Sequence, residues 1–415
     1  MIFRMRQLFF AWKKNYINMS QNELDVLKEF KLTEIKYQEI GISHPFPNYY
    51  QFDLMFKLTN NPDYYNSLPM QTTQAVIKSV LSDFKSFFTS LKEYRKHPDK
   101  YTGTPKLPGY KKSNEAGFII SNQDAVIYFN KKSNTYELKL PKTKLRLNLG
   151  LKNIQNLKQV VITPYYDTYK ICIVYEYEHS SYSLDKDRIL GIDYGVDNFI
   201  TTNNNCGLIP FIIKGKGIKS FNQWFNKRLS QMKSCLSANR FNQYNSKALD
   251  KLYKYRNNRT MDFYNKVASY IVNYCLKHNI GVIVIGKNEK WKTNVNLGKG
   301  NNQNFCFLSH SIVTAKIKNL SEKYGITVYT TEESYTSKSN ILNNDILPSY
   351  KAGCNNAYPF TGKRIYRGLY ITNNNIKINA DVNGAGNIIR KIYKDAFKDM
   401  DLSYMYKTVR AVYIN

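Results

Sequence analysis

Three short acidic segments, widely separated along the chain, place the tightest constraint on how it can fold. In each, a carboxylate follows an apolar strand pattern or stands at the entry to a helix. Three such carboxylates in one place can bind a pair of Mg²⁺ ions, because Mg²⁺ prefers hard oxygen ligands and keeps several waters. Two ions clamp the attacking and leaving oxygens of a phosphodiester, so the pattern favours a two-metal nuclease. The segments are GIDYGVDN (191–198) with Asp193, TEESYTSK (331–338) with Glu332 or Glu333, and NADVNGAGN (379–387) with Asp381.

The charge balance indicates what such a nuclease would act on. Lys and Arg number 61 against 31 Asp and Glu, which gives a formal net charge of +30. An excess this large in a globular composition points to a polyanionic partner. The 35 tyrosines, interleaved with lysine, suit stacking on unpaired bases. A basic surface kept for solubility is the alternative, but added cations are a poor solubility device. We therefore expect a nucleic-acid partner.

Length and cysteine spacing narrow the class of protein further. At 415 residues the chain has room for two or three domains. Its six cysteines include no CxxC pair, which disfavours a zinc ribbon or a disulfide framework and favours a reducing compartment. No apolar run approaches the roughly 20 residues of a membrane span. We expect a cytoplasmic protein without membrane contact, associated with the nucleoid when it binds DNA.

Hydrophobic periodicity separates helical and β-rich parts in the first half of the chain. Apolar residues spaced by three and four predict a long amphipathic helix over 68–96. Short alternating runs between 116 and 178 predict closely spaced strands, typical of a barrel or sandwich module.

The second half alternates strands and helices. Two strands around Asp193 precede a cationic helical stretch at 221–277, a buried strand at 281–286, a helix at 309–324 and a strand that ends in TEE. A loop-rich stretch at 339–379 then leads into a closing helix that carries Asp381. This order predicts an RNase H-like nuclease domain. The predicted fold class is therefore α/β, with additional all-β and helical modules.

Seven motifs, taken in order, carry a family resemblance. They are NPDYYNSLPMQTTQAVIKSVLSDFKSFF, PKLPGYKK, GIDYGVDN, NKRLSQMKS, VIVIGKNEKWKTNVNLGKGNNQNF, EESYTSK and NADVNGAGNI, between about Asn61 and Lys391. Each is a weak signal alone, whereas their order and spacing together are specific. The chain resembles the TnpB family, transposon-associated RNA-guided DNA endonucleases related to type V CRISPR effectors. The resemblance implies an RNase H-like (RuvC) nuclease domain, a β-barrel-like wedge domain and a helical recognition lobe.

The resemblance also implies a domain order. The wedge domain and the recognition lobe come before about residue 185, and the nuclease domain follows from 186. The expected segments are 1–60, an N-terminal part of the wedge domain; 61–112, the recognition lobe; 113–185, the β-rich wedge domain; 186–338, the RuvC-like domain with its first two acids; 339–379, an insertion in the target-loading position; 380–398, the third acid and closing helix; and 399–415, a C-terminal tail.

By the resemblance, Asp193 is the first catalytic acid and Asp381 the last, and with a middle acid they would hold two Mg²⁺ ions. The implied enzyme is a metal-dependent DNA endonuclease, a hydrolase of phosphodiester bonds. Two plainer interpretations stay open. Asp193 could be only a turn-facing carboxylate, and Asp381 could be only the N-cap of the final helix.

The middle acid departs from the commoner family pattern. Many relatives carry it just after the strand at 281–285, where this sequence has Gly286. In a subset of the family the neighbouring strand supplies a glutamate, and EESYTSK resembles that version. We predict Glu333 as the middle acid. Glu332 is the close alternative, because one residue of register reverses which side chain faces the site, and Glu289 is a distant third.

A second departure is the absent zinc motif. Relatives usually place two CxxC pairs between the second and third acids, whereas 339–379 contains Cys354 alone. We expect no zinc, because one cysteine cannot supply a tetrahedral site. The basic, aromatic run FTGKRIYRGLY (360–370) is either a substrate contact or a surface hairpin.

The resemblance implies a guide RNA and a double-stranded target DNA as partners, with a monomeric protein in the RNA complex. An RNA-guided repressor without cleavage and a strand-transfer transposase are the rival functions. The retained acids argue against the first, and the complete ordered motif set argues against the second. The cationic residues expected to follow the nucleic-acid backbone are Lys227, Arg228, Lys251, Lys254, Arg256, Arg259 and Lys266.

Overall fold

The chain forms two compact units, Met1–Tyr177 and Glu178–Asn415. The computed structural model describes residues 48–58, 64, 68–109, 115–150, 155–176, 182–238, 246–287, 309–349, 358–366 and 368–414. Within these ranges, no helix combines the length and the apolarity that crossing a membrane requires. Each unit has a hydrophobic core of its own.

The first described elements of the first unit are the helices α1 (Tyr49–Leu58) and α2 (Met70–Lys96). Helix α2 corresponds to the amphipathic helix predicted over 68–96. Its buried apolar residues, Ile77, Val80 and Phe84, recur at intervals of three and four and so lie on one face. That face is where α2 contacts α1 and the first strand.

Six strands follow in the first unit and form two three-stranded antiparallel sheets. The orders are β1–β5–β6 and β2–β3–β4. The sheets share one core, to which Ile120 and Val160 contribute from one sheet and Leu138 from the other. The strands are β1 (Phe118–Ser121), β2 (Val126–Asn130), β3 (Thr135–Lys139), β4 (Arg146–Asn148), β5 (Gln155–Tyr165) and β6 (Thr168–Glu176).

A six-stranded mixed sheet organises the second unit, in the order β11–β10–β7–β8–β9–β15. Strands β7, β8 and β9 form an antiparallel meander, while β10 and β11 run parallel to β7. This arrangement is consistent with the predicted RNase H-like nuclease domain. The strands are β7 (Asp185–Tyr194), β8 (Asn198–Asn204), β9 (Phe211–Lys214), β10 (Ile280–Gly286), β11 (Thr327–Thr331) and, after three strands of a second sheet, β15 (Arg410–Val412).

Helices cover both faces of this sheet. Residues of α4 and α5 pack on one face with Ile283 and Ile285 of β10, while α6 packs on the other with Val282 and Val284. Strand β10 is apolar throughout because both of its faces are buried, as expected for a central parallel strand. The helices are α3 (Lys216–Ala238), α4 (Lys247–Lys277), α5 (His310–Lys323) and α6 (Ala380–Ile392).

Two segments contain more strands than the sequence predicted. A surface hairpin was one of the two interpretations of 360–370, and two antiparallel strands do pair over 362–372. The stretch expected to be loop-rich (339–379) contains β12 (Gly362–Tyr366), β13 (Leu369–Thr372) and β14 (Lys377–Asn379), which form an antiparallel sheet. The expected C-terminal tail contributes β15, which pairs in parallel with β9. These strands are three to five residues long, too short to show a clear period of two.

Helix α6 approaches β7 closely through Gly191. A Cβ atom at this position would collide with the backbone carbonyl oxygen of Ala385 and with the side chain of Ile389. Replacing Gly191 by Ala should therefore force α6 away from the sheet, lowering the free energy of unfolding by about 2 kcal/mol or more. Urea denaturation of the purified protein measures this change.

The matched control is Gly217→Ala in α3, where an added Cβ meets no atom within 4 Å. Alanine is favoured over glycine in a helix by roughly 0.5–1 kcal/mol, so this variant should be unchanged or slightly stabilised. Equal stability of the two variants would contradict the close packing of α6 on β7.

Candidate functional site

Asp193 lies near the end of β7 and pairs across the ladder with Thr201 of β8. Helix α6 passes close above it, since a Cβ on Gly384 would lie 3.1 Å from Oδ2 of Asp193. Burial raises the pKa of Asp193 well above its ordinary value, and the nearby carboxylates of Glu333 and Asp381 raise it further. A carboxylate that only faced a turn would not interact electrostatically with two other carboxylates. This arrangement disfavours the interpretation of Asp193 as only a turn-facing residue.

Asp381 is the second residue of α6, but it does not cap the helix. The N-cap is Asn379, whose side-chain oxygen accepts hydrogen bonds from the backbone N–H groups of Asp381 and Val382. The carboxylate of Asp381 points elsewhere. Its Oδ2 accepts from Nδ2 of Asn198 at 2.8 Å, and its Oδ1 accepts from Nη2 of Arg364 at 2.9 Å. The interpretation of Asp381 as an N-cap is therefore wrong.

Glu333 follows the end of β11 and occupies the space beside Gly286. A Cβ added to Gly286 would lie 2.6 Å from Oε1 and 2.8 Å from Cγ of Glu333. Glu333 thus fills the place next to the end of β10 where many relatives are expected to carry the middle acid. Burial, together with the charge of Glu332, raises the pKa of Glu333 from 4.5 to about 7.

Glu332 turns to different partners. It accepts hydrogen bonds from Nζ of Lys391, on α6, and from the backbone N–H of Ser334 at 2.6 Å. The Lys391 side chain is only 5% exposed, whereas the Glu332 side chain is 42% exposed, so the pair lies at the edge of the packed interior. Burial acts to raise the pKa of Glu332, but the hydrogen bonds from Lys391 and Ser334 outweigh it and lower that pKa. The two adjacent glutamates therefore have opposite electrostatic environments.

The three predicted acids share one electrostatic environment without forming a closed ligand cluster. Asp193 feels the charges of both Glu333 and Asp381. Among the described residues, however, no three Asp, Glu, His or Cys side chains stand close enough together to bind a metal ion as they are. The donor chemistry nevertheless fits a hard divalent cation, because all three groups are carboxylates. The pKa values of Asp193 and Glu333 are raised mainly by burial and further by neighbouring carboxylates.

Sequence reasoning missed the polar partners of Asp381. Arg364 lies on β12, in the stretch predicted to be loop, and Asn198 begins β8. Lys214 of β9 completes the chain of contacts by donating to Oδ1 of Asn198 at 2.9 Å. The basic, aromatic run at 360–370 was the available signal for Arg364. Neither its spacing nor its composition shows which carboxylate the arginine would reach.

The seven cationic residues predicted to contact nucleic acid lie on α3 and α4 but differ in accessibility. Arg256 is half-buried, since its guanidinium lies 5.0 Å from the ring centre of Phe225 and donates to Asn222. Lys266 pairs with Asp262 at 2.8 Å. Lys254 is half-buried. The exposed members are Lys227, Arg228, Lys251, Arg259 and the paired Lys266.

Several predictions lie outside the described residues. They concern Glu289 as a third choice of middle acid, Cys354 as an isolated cysteine, and nearly all of the N-terminal segment 1–60.

Comparisons with known proteins support a transposon-associated relationship. A family model described as "Probable transposase" (OrfB_IS605) matches residues 172–292, a range that includes Asp193 and Gly286. None of the curated proteins matches the chain. The family match confirms the resemblance to TnpB that the sequence motifs carry.

Two solved structures cover most of the chain at low similarity. One is a cryo-EM structure of a CRISPR–Cas12f ternary complex, with 15% identity and a TM-score of 0.34, covering 92% of this chain and 81% of that chain. The other is a cryo-EM structure of a Cas12f1–sgRNA–target DNA complex, with 14% identity and a TM-score of 0.34, covering 93% of both chains. At this TM-score neither likeness supports an inference about this molecule.

The raised pKa of Glu333 predicts how stability depends on pH in metal-free buffer. Between pH 4.5 and about 7 the folded protein holds this proton more tightly than the unfolded chain, so stability falls as pH rises through that window. Glu333→Gln removes the titration. The variant should be more stable than the parent at pH 8, by an amount on the order of 1–3 kcal/mol, and equal to it near pH 4.

Thermal or urea unfolding at both pH values, in the presence of a chelator, measures the difference. Some pH dependence should remain in Glu333→Gln, because the raised pKa of Asp193 acts in the same direction. Identical stability–pH curves for parent and variant would show that Glu333 is not held in a buried, negatively charged environment.

Proposed function

We propose that this TnpB relative is an RNA-guided DNA endonuclease, associated with a transposable element, that cuts target DNA by Mg²⁺-dependent phosphodiester hydrolysis. The observation that carries the proposal is the meeting of three carboxylates from distant parts of the chain at one end of a mixed sheet. Asp193 comes from β7, Glu333 from the end of β11 and Asp381 from the start of α6. Glu333 lies where a side chain at Gly286 would otherwise be.

The residues that would hold the metal ions are Asp193, Glu333 and Asp381. When bound, a pair of Mg²⁺ ions supplies Lewis-acid stabilisation of the phosphodiester and an activated water. Burial, together with neighbouring carboxylates, raises the pKa of Asp193 and Glu333, so metal binding here would replace the protons that these groups otherwise retain.

The surrounding residues position these acids. The amide of Asn198 and the guanidinium of Arg364 each hold one oxygen of Asp381. The pair of Glu332 and the buried Lys391 connects the turn after β11 to α6. The turn also carries Glu333, so the pair fixes the direction in which Glu333 points. In this proposal Glu332 is a positioning residue, and it does not bind metal.

The cationic surface of α3 and α4 would bind the guide and target strands. A protein that holds an RNA–DNA duplex contacts its backbone and shape, while base pairing reads the sequence. The exposed cations Lys227, Arg228 and Lys251 meet this requirement. In the same scheme, the two sheets of the first unit would act as a wedge domain and α2 as part of a recognition lobe.

An RNA-guided DNA-binding repressor is the alternative function. It is favoured by the engagement of both Asp381 oxygens in hydrogen bonds and by the absence of a ready three-ligand metal site among the described residues. The three retained carboxylates favour the endonuclease. Purifying the protein with RNA from its native locus, and incubating the complex with a labelled target duplex and Mg²⁺, separates the two functions.

The catalytic proposal predicts different outcomes for the two adjacent glutamates. Asp193→Asn, Glu333→Gln and Asp381→Asn each preserve shape while removing a charged ligand, so cleavage should fall by a factor on the order of 10³ or more with RNA-guided binding retained. Glu332→Gln is the matched control. It keeps an acceptor for Lys391 and should retain most of the activity.

Single-turnover cleavage of the labelled duplex measures these rates, and a filter-binding assay measures retention of the target. The opposite pattern, with Glu332→Gln inactive and Glu333→Gln active, would move the ligand role by one residue. Normal cleavage by both glutamate variants would show that neither Glu332 nor Glu333 belongs to the active site.

The cationic surface predicts a steep dependence of binding on salt. Each phosphate contact contributes roughly 0.7–0.9 to the slope of log K against log salt concentration. Replacing Lys227, Arg228 and Lys251 together by Ala should therefore lower the slope by about 2–3 and weaken binding similarly for all guide sequences.

The matched control carries the same loss of charge at three exposed lysines of the second unit that lie outside both helices, Lys394, Lys398 and Lys407. If binding depended on net charge alone, the two triple variants would have equal slopes. A slope that is smaller only in the α3–α4 variant locates the contact surface on these helices.

A further inference from the structure

A cluster of three aromatic rings and one arginine lies where α3 crosses α4. The rings of Phe221 and Trp224 stack with centres 5.6 Å apart, and Tyr255 meets both edge-on, at 5.6 Å and 6.1 Å. The guanidinium of Arg259 lies 4.5 Å from the centre of the Phe221 ring and donates to the Tyr255 hydroxyl at 3.2 Å. Beside them is an open cavity of about 310 Å³, lined by Gly217, Ser220, Phe221, Trp224, Tyr255 and Arg259.

Phe221 is buried in the core of the second unit, but holding the helices together does not account for the other two rings. That role belongs to the neighbouring inner layer, where Phe225 is fully buried against Tyr253 and Arg256. Trp224 and Tyr255, by contrast, are 48% and 49% exposed. Large aromatic side chains left half in water gain little from the hydrophobic effect, and exposed apolar surface beside a cavity is characteristic of binding sites.

The aromatic rings and the guanidinium that line the cavity favour a flat, electron-rich ligand that carries a negatively charged group. Aromatic cages commonly bind quaternary ammonium groups, but this one already contains a guanidinium, which would repel a second cation. A nucleobase can stack on Trp224 or Tyr255, while its phosphates meet positive charge. The exposed Lys227 and Arg228 lie one helical turn beyond Trp224, and Lys251 lies one turn before Tyr255.

We propose that this cavity receives one unpaired nucleobase of a single strand, stacked on Trp224 beside the edge-on ring of Tyr255, with Arg259 and the flanking cations holding its phosphates. The inference rests on the proposed function for its nucleic-acid partner but not for cleavage. The base belongs either to the guide RNA or to the single DNA strand displaced from the target. Both present the same aromatic face and phosphate charge to the site.

The test uses the full-length protein without Mg²⁺ and four ligands of equal length: RNA, DNA, and the same two backbones with abasic positions in place of bases. Base stacking quenches indole fluorescence, so the RNA or DNA with bases should quench the emission of Trp224 and the abasic strands should not. The Trp224→Phe variant supplies the baseline of the other tryptophans. The difference between the two titrations reports Trp224 alone.

Affinity measurements complete the test. Trp224→Ala should weaken binding of the base-containing strand by roughly 5- to 100-fold, leaving binding of the abasic strand unchanged. Trp224→Phe keeps an aromatic face and should restore most of the affinity, which a merely unfolded variant could not do. Tyr413→Ala, at a tyrosine that is 72% exposed elsewhere in the same unit, should bind as the parent does.

Tighter binding of RNA than DNA would identify the guide as the source of the base, and the reverse would identify the displaced strand. Equal quenching by abasic strands, or unchanged affinity in Trp224→Ala, would overturn the stacking site. Failure of the proposed function is distinguishable, because a protein that stacks bases but does not cut refutes the endonuclease and leaves this site standing. A protein that cuts its guided target without base-dependent quenching refutes the stacking site alone.

Discussion

The close approach of α6 to the central sheet is the contact on which the rest of the site depends. Gly191 leaves room for the backbone of α6 at Ala385, and Gly384 leaves room for the carboxylate of Asp193. Gly286 does the same for Glu333 and for Ile388 of α6. A side chain at any of the three glycines would push the helix or an acid outward. Since Asp381 stands at the start of this helix, the spacing between helix and sheet also sets how near it comes to Asp193.

Bringing these acids together creates a repulsion that the fold compensates unevenly. Arg364 and Asn198 bind Asp381, and Lys391 binds Glu332. Asp193 and Glu333 keep raised pKa values, because burial and neighbouring negative charge both oppose their ionisation. Ionising these buried groups lowers the stability of the metal-free protein. The fold thus places carboxylates with perturbed pKa values where the proposed function requires cation binding, as is common at active sites.

Much of the architecture was accessible from the sequence, and the exceptions share a cause. Helix α2 has a clear helical period because one of its faces is buried. Strand β10 is recognisable as a continuous apolar run because both of its faces are buried. Strands β12–β14 and β15 are too short to show a period. Strands β12, β13 and β14 pair with one another, whereas β15 pairs with β9, roughly two hundred residues earlier. Local patterns contain no information about such partners.

For the site itself, the sequence alone determined that Asp193 and Asp381 lie at a strand end and a helix entry, because motif chemistry and periodicity are local. It also narrowed the middle acid to a pair of adjacent glutamates. Only the tertiary structure decided that Glu333 turns toward Asp193 and Glu332 toward Lys391, that Asn379 and not Asp381 caps α6, and that Arg364 reaches Asp381. The reason is geometric, because side chains of adjacent residues after a strand point to opposite sides. The groups that each side chain contacts come from elements far away in the chain.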